Sequence, residues 1–344
     1  MLKYFESTIK DHPERQKYFK ERGLSSDEAF ACALALSFYT GYNGGGNFSS
    51  DQVNRGASKC IRTQNVPVEK NAIEKYFVIM HYMIKALAYI PYHWGACLRH
   101  VEISKEEQNR YQVGSIISWL QFSSSTSAEE GVSEFSDRNT VFHIYSLSGR
   151  LIQKFSNFNH EKEVLFVPWS TFMVTKKETS QGKVHIYFRQ VELGTTKNTI
   201  LWVDDNILDE KWENKIMMEF LTSQGLSKAL RIIPKTSTKS ALAFLDSEFG
   251  KYIKIVEADR TFQIISDMGR PKEKDGSEAG AILVKKLRER GFLHKFTIFT
   301  FSEEWSLKAL TKHAGILLGN PQNYLVTACP YQFLEFVSPG SMAS

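Results

Sequence analysis

Several protein classes are excluded by what the chain has little of. Its four cysteines, Cys32, Cys60, Cys97 and Cys329, are scattered without metal-ligand spacing. That argues against a zinc site and against a disulfide framework, and favours a reduced, cytoplasmic setting. No run of about eighteen apolar residues occurs, so no membrane-spanning helix is expected. The opening MLKYFESTIKDHPERQKYF is charged from the start and has no signal-peptide core. Low-complexity tracts and a chain-wide repeat are lacking. Charge of one sign is also scarce, +5 in 344 residues, and no basic stripe is interleaved with aromatics. The chain is therefore expected to have no nucleic-acid partner.

What remains is ordinary globular composition, 42% hydrophobic and 24% charged, in a chain long enough for two cores. The first ninety residues read as helical. Ser25 to Glu28 is a capping box for a helix that stops at Gly41. A short helix is expected near Ser49 or Ser50, and a long amphipathic one from Val68 to Ile90, ending before Pro91. From about Ala96 the period changes to two, in short β-rich runs between polar turns, an α+β pattern.

After Leu193–Asn198 the pattern changes again. ILWVDDN, RIIPKTS, FQIISDMGR, KFTIFTFS and ILLGN read as five strands alternating with helices, the last helix being PQNYLVTACPYQFLEFV. Continuously apolar strands in strict alternation with helices imply a doubly wound α/β domain with a parallel sheet. The expected division is a catalytic domain over 1–194, a linker at 195–198, an α/β domain over 199–338 and an appended tail at 339–344.

The stretch Leu151 to Val174 stands out. Glu161 and Glu163 flank one lysine, and Val164-Leu165-Phe166-Val167 follows as a strand buried on both faces, closed by Pro168. In an extended chain the two glutamates share a face, where like charges must be used or screened. Upstream come Arg99, the cluster Ser123–Ser127 after Phe122, and Phe142, Ser148 and Gly149. Taken alone, Arg99 also fits a surface ion pair and the serines a solvated loop.

In this order the residues resemble the arginine-specific mono-ADP-ribosyltransferases, with their Arg, Ser-Thr-Ser and Glu-x-Glu signature. Tyr39-Thr40-Gly41 and Asn54-Arg55 match helical features of that family. His100 follows the arginine where the family usually has glycine. The resemblance implies a mono-ADP-ribosyltransferase fold, helices first and then a mixed β-sheet core, with NAD as co-substrate and a protein bearing an accessible arginine as acceptor. It further implies that Arg99 holds the NAD pyrophosphate, and that Ser124 contacts the nicotinamide ribose and holds Glu163. The remaining NAD-contacting positions would be His100, Phe142, Gly149 and Phe155, although Phe155 suits core packing equally. Glu163 would stabilise the ribosyl cation: at about 4 Å and an effective dielectric near 20, the attraction is roughly 4 kcal/mol. Glu161 would orient and deprotonate the incoming guanidine. Water in place of arginine would give an NAD glycohydrolase, and an inert site would leave a signalling or interaction protein.

In the second domain Asp204 and Asp205 end the first strand, Asp267 the third, and Thr300 the fourth. Ligands gather at the carboxyl ends of parallel strands, and three carboxylates there suit Mg²⁺. This pattern resembles a response-regulator receiver domain, with Asp267 as phosphoacceptor and Thr300 near the phosphoryl group. Asn320 is expected where receivers carry a lysine at the end of the fifth strand. A docking or self-association module is the other reading.

Overall fold

The computed structural model describes residues 9–41, 50–51, 53–54, 70–127, 135–191, 198–224, 230–255, 261–315, 323–328 and 332. The chain divides into two compact units, Met1–Val191 with Thr222–Leu226, and Glu192–Leu221 with Ser227–Ser344.

In the first unit the helices α1 (Pro13–Lys20), α2 (Ser26–Tyr39) and α3 (Lys70–Leu87) precede the strands. Ser25 caps α2 in a reciprocal box with Glu28. Ser50, Asp51, Val53 and Asn54 are helical, whereas Ser49 and Arg55 lie outside the described residues. Strands β1 (Tyr92–Val101), β2 (Ile116–Trp119), β3 (Ser123–Thr126), β4 (Thr140–Leu151), β5 (Glu163–Phe166), β6 (Ser170–Ser180) and β7 (Lys183–Gln190) follow, with α4 (Lys105–Arg110) between β1 and β2. They form one sheet in the order β1-β3-β5-β4-β7-β6-β2, with β1 also pairing β4. Among the described strands of this sheet only the β4–β7 pairing is parallel.

Strand β5 explains how a polar site sits on a buried strand. Its four residues are all buried. Thr126 lies opposite Glu163, and Ser124 opposite Leu165. Alternation therefore turns Glu163 and Leu165 to one face and Val164 and Phe166 to the other. Leu165 joins the core under the helices with Leu36, Phe122, Ile152 and Phe155. Val164 and Phe166 join a separate core with Phe142, Phe172 and Phe188. The serine cluster is thus a strand between β1 and β5, not a loop.

The second unit contains five parallel strands, β8 (Asn198–Val203), β9 (Leu230–Lys235), β10 (Thr261–Asp267), β11 (Lys295–Phe299) and β12 (Tyr324–Thr327). Their order, β12-β11-β10-β8-β9, is the flavodoxin-like order of doubly wound sheets. Helices α5 (Lys215–Thr222), α6 (Thr238–Leu245), α7 (Glu248–Ile255), α8 (Ala279–Glu289) and α9 (Glu303–Ala314) connect them. Two expectations are corrected. Asn198, assigned to the linker, is already the first residue of β8. The fifth strand of the described sheet is Tyr324–Thr327, inside the stretch read as a last helix, because its apolar run Tyr-Leu-Val is short enough to suit either element; residues 316–320, read as a strand, lie outside the described residues. Asn320 therefore precedes the fifth strand instead of ending it, and it lies outside the described residues.

Candidate active site

Three strands bring the signature residues together. Arg99 lies on β1, and its Nη1 donates to the Ser124 carbonyl oxygen at 2.6 Å. Ser124, on β3, donates from Oγ to Glu163 Oε1 at 2.5 Å. Glu163, the first residue of β5, is 6% exposed. The Arg99 guanidinium also lies 5.7 Å from the centre of the Trp119 ring. The Tyr39 hydroxyl stands 3.4 Å from Ser124 Oγ, and Asn54 Nδ2 donates to the Phe122 carbonyl at 3.1 Å. Tyr39 and Asn54 thus lean on the same strand, which ties the helical motif to the site.

Burial governs the electrostatics. It pushes the Glu163 carboxyl up to about 7; the charge of Glu161 adds to this, while the Ser124 hydrogen bond and Arg99 oppose it. The Tyr39 phenol is pushed up to about 12, first by burial and then by Glu163. Burial pulls the Arg99 guanidinium below its ordinary value. The pocket thus holds a carboxyl that ionises near neutrality beside a cation with little water around it.

Glu161 closes a single 3₁₀ turn, Asn159–Glu161, and is half-buried. Lys162 follows in the left-handed region at φ 44°. That one residue turns the chain from loop to strand between the two glutamates. Thr126 Oγ1 donates to the Glu161 carbonyl at 2.6 Å, and the Ser127 amide to the Lys162 carbonyl at 3.1 Å. The glutamates therefore differ in setting, Glu163 fixed and buried, Glu161 at a loop end.

The other residues expected near NAD have these surroundings. Phe142 is in the sheet core, packed on Trp119, Tyr111 and Phe188. Phe155 is 2% exposed and stacks on Phe19 at 5.1 Å, so core packing describes it. A Cβ on Gly149 would come within 2.7 Å of both Ser146 Oγ and Val164 Cγ1; this glycine lets β4 pass close under β5. His100 is half-buried, and its carbonyl accepts from Arg138 Nη1 at 2.8 Å. Sequence reasoning missed Arg15, Ser37 and Asn157, which anchor the loop bearing Glu161. An arginine in a first helix carries no signal of such a role.

The proposed metal trio of the second unit is not formed. Among the described residues no three or more His, Cys, Asp or Glu side chains are placed to hold a metal ion. Asp204 accepts from Trp212 Nε1 at 2.7 Å and from the Asn206 amide at 2.8 Å. Asp205 Oδ2 accepts from the Lys272 amide at 3.1 Å. Asp267 ends β10 as expected, and its carboxyl is pushed up to about 7 by burial and then by Asp204. The Thr300 hydroxyl accepts from Ser306 Oγ at 2.7 Å and from the Ser302 amide at 3.1 Å at the start of α9. Arg270, fully buried, closes the loop after β10 through Glu273 Oε1 at 2.5 Å, the Asp267 carbonyl at 2.8 Å and Thr238 Oγ1 at 2.6 Å.

In the first unit, a neutral-range carboxyl, a hydroxyl that fixes it and a forked cation suit the cleavage of a glycosidic bond beside an anionic linker. The NAD:arginine ADP-ribosyltransferase family matches residues 17–196, just over half of the chain, and the chain belongs to that family. It is also 35% identical over 95 residues, 27% of its length, to the "Putative NAD(+)--arginine ADP-ribosyltransferase Mav" of Mycobacterium avium (strain 104). That match spans only 11% of the relative. Among solved structures, the ADP-ribosyltransferase HopU1 of Pseudomonas syringae pv. tomato DC3000 is 18% identical with a TM-score of 0.44, covering 56% of this chain and 88% of that one. The Vis toxin, an ADP-ribosyltransferase from Vibrio splendidus, is 18% identical with a TM-score of 0.40, covering 56% and 83%. Among the described residues no helix is long and apolar enough to cross a membrane.

Proposed function

We propose that the chain transfers ADP-ribose from NAD to arginine side chains of acceptor proteins, releasing nicotinamide. The observation that carries this is the hydrogen-bonded convergence of Arg99, Ser124 and Glu163 in a member of that family. Arg99 holds the pyrophosphate through its forked donors. Ser124 keeps the Glu163 carboxylate turned to the ribose. As the bond from the ribose carbon to the nicotinamide nitrogen breaks, nicotinamide leaves with the bonding pair. Positive charge then develops on the ribose, where a fixed carboxylate stabilises it. A guanidine nitrogen of the acceptor bonds to that carbon and releases its proton to Glu161. Arrival of the cationic nicotinamide ring favours the ionised form of a carboxyl that titrates near 7.

For the second unit we favour receiver-like docking or self-association over phosphate acceptance, since the Asp204 carboxylate and the Thr300 hydroxyl are already used by the chain's own groups.

Incubation with NAD and a mixed protein acceptor, read by mass spectrometry, should add ADP-ribose to arginine. Nicotinamide release with water as the sole acceptor would make the chain an NAD glycohydrolase. Intact NAD would point to an inert fold used for binding.

A further inference from the structure

Arg15 is 3% exposed yet lies on the first helix, far in sequence from the glutamates. Its Nη1 donates to Asn157 Oδ1 at 3.0 Å and to Ser37 Oγ at 3.4 Å, and its Nη2 to the Ser156 carbonyl at 2.9 Å. These acceptors are all neutral. Burial pulls its pKa below the ordinary value, and among the described residues Nε has no hydrogen-bond partner. The charge of Glu14 opposes that shift without overcoming it; a buried cation whose hydrogen bonds all go to neutral acceptors is costly, so its position calls for a reason.

The reason lies in what it holds. Asn157 is gripped from three sides: its amide donates to Thr40 Oγ1 at 3.2 Å, its Nδ2 to the Ser37 carbonyl at 2.9 Å, and its Oδ1 accepts from Arg15. Ser156 is fully buried. Four residues after Asn157 the loop reaches Glu161, whose carbonyl accepts from Thr126 Oγ1 on β3. The root of the loop is therefore fixed to α1 and the end of α2, while Glu163 is fixed separately by Ser124 on β3.

We propose that Arg15 is a positioning residue for Glu161: by clamping Ser156 and Asn157 it sets where the loop delivers that carboxylate to the incoming guanidine, without touching the machinery that cleaves NAD. This rests on the division of roles between the two glutamates given above. Loss of the clamp leaves Glu163 in place and shifts the root from which the loop approaches Glu161, and misplacement by about 1 Å costs on the order of 100-fold.

The test uses the full chain carrying Arg15→Lys, which keeps the charge and loses the fork. Thr40→Val, which removes the hydroxyl accepting from Asn157, attacks the same clamp without disturbing the buried cation and serves if Arg15→Lys does not fold. With NAD and agmatine, ADP-ribosyl-agmatine and free ADP-ribose are measured together. The ratio of transfer to hydrolysis should fall by ~10- to 100-fold, with hydrolysis itself retained. General destabilisation lowers both products alike and leaves the ratio unmoved. Amide exchange at residues 157–161 should speed up while that of Val164–Phe166 stays unchanged. A proportional fall in both products, or unaltered exchange in the loop, overturns the clamp alone. If the unaltered protein hydrolyses NAD but never modifies agmatine, the clamp falls together with the reading it rests on.

Discussion

Replacing Glu163 by glutamine should stabilise the protein in a pH-dependent way. The carboxyl ionises near 4.5 when unperturbed and near 7 in the fold, chiefly because it is buried. Between those values the folded chain keeps a proton that the unfolded chain has lost. Stability therefore falls as pH rises from about 4.5 to about 7, and the loss is complete above that. At 1.36 kcal/mol per pH unit the penalty is roughly 3 kcal/mol. Glutamine does not titrate, and its oxygen can still accept the Ser124 hydroxyl. Unpaired amide N–H groups would return about 1 kcal/mol of the gain, as an offset that does not vary with pH. Thermal unfolding of Glu163→Gln and the unaltered protein from pH 4.5 to 8 should show a difference that widens with pH. For a unit of this size 3 kcal/mol corresponds to about 6–12 °C. A difference that stays constant with pH would refute the reasoning, because it would mean that Glu163 is not held protonated by burial.

Other outcomes follow from the same geometry. Ser124→Ala removes a hydrogen bond to the charged carboxylate, so the acid limb of kcat/KM against pH, expected near 7, should move to higher pH. Arg99→Lys replaces a fork by a point charge and should raise KM for NAD by about tenfold, the equivalent of ~1.4 kcal/mol, with less effect on kcat. Gly149→Ala places a methyl within 2.7 Å of Val164 and Ser146 and should cost about 1–3 kcal/mol in denaturant unfolding. Millimolar Mg²⁺ should leave the melting temperature unchanged, since Asp204, Asp205 and Asp267 do not assemble a metal site.

Much of the fold was legible because local signals agreed with tertiary ones. The Ser25 capping box starts its helix, and the apolar runs of β8, β10 and β11 become parallel strands because nearly all their residues are buried, on both faces. The serine cluster was harder. Its four residues have no alternation of polar and apolar side chains, and β3 exists because β1 and β5 offer it partners on both sides. Residues 324–326 were read as helix because so short an apolar run suits either element and periodicity alone does not choose between them. Spacing brought Glu161 and Glu163 to notice, but the left-handed Lys162 that separates their settings has no signature in a lysine codon. Arg15 was invisible for a related reason. Its partners lie 141 and 142 positions away, and only the folded chain shows that they meet.

The division of labour between the glutamates is tested most directly by one paired measurement. Glu161→Gln and Glu163→Gln are each incubated with NAD and an arginine-bearing acceptor, and modified arginine and released nicotinamide are quantified together. Glu161→Gln should lose arginine modification while nicotinamide release continues, and Glu163→Gln should lose both. Equal loss of the two products in Glu161→Gln, or undiminished nicotinamide release in Glu163→Gln, would contradict it.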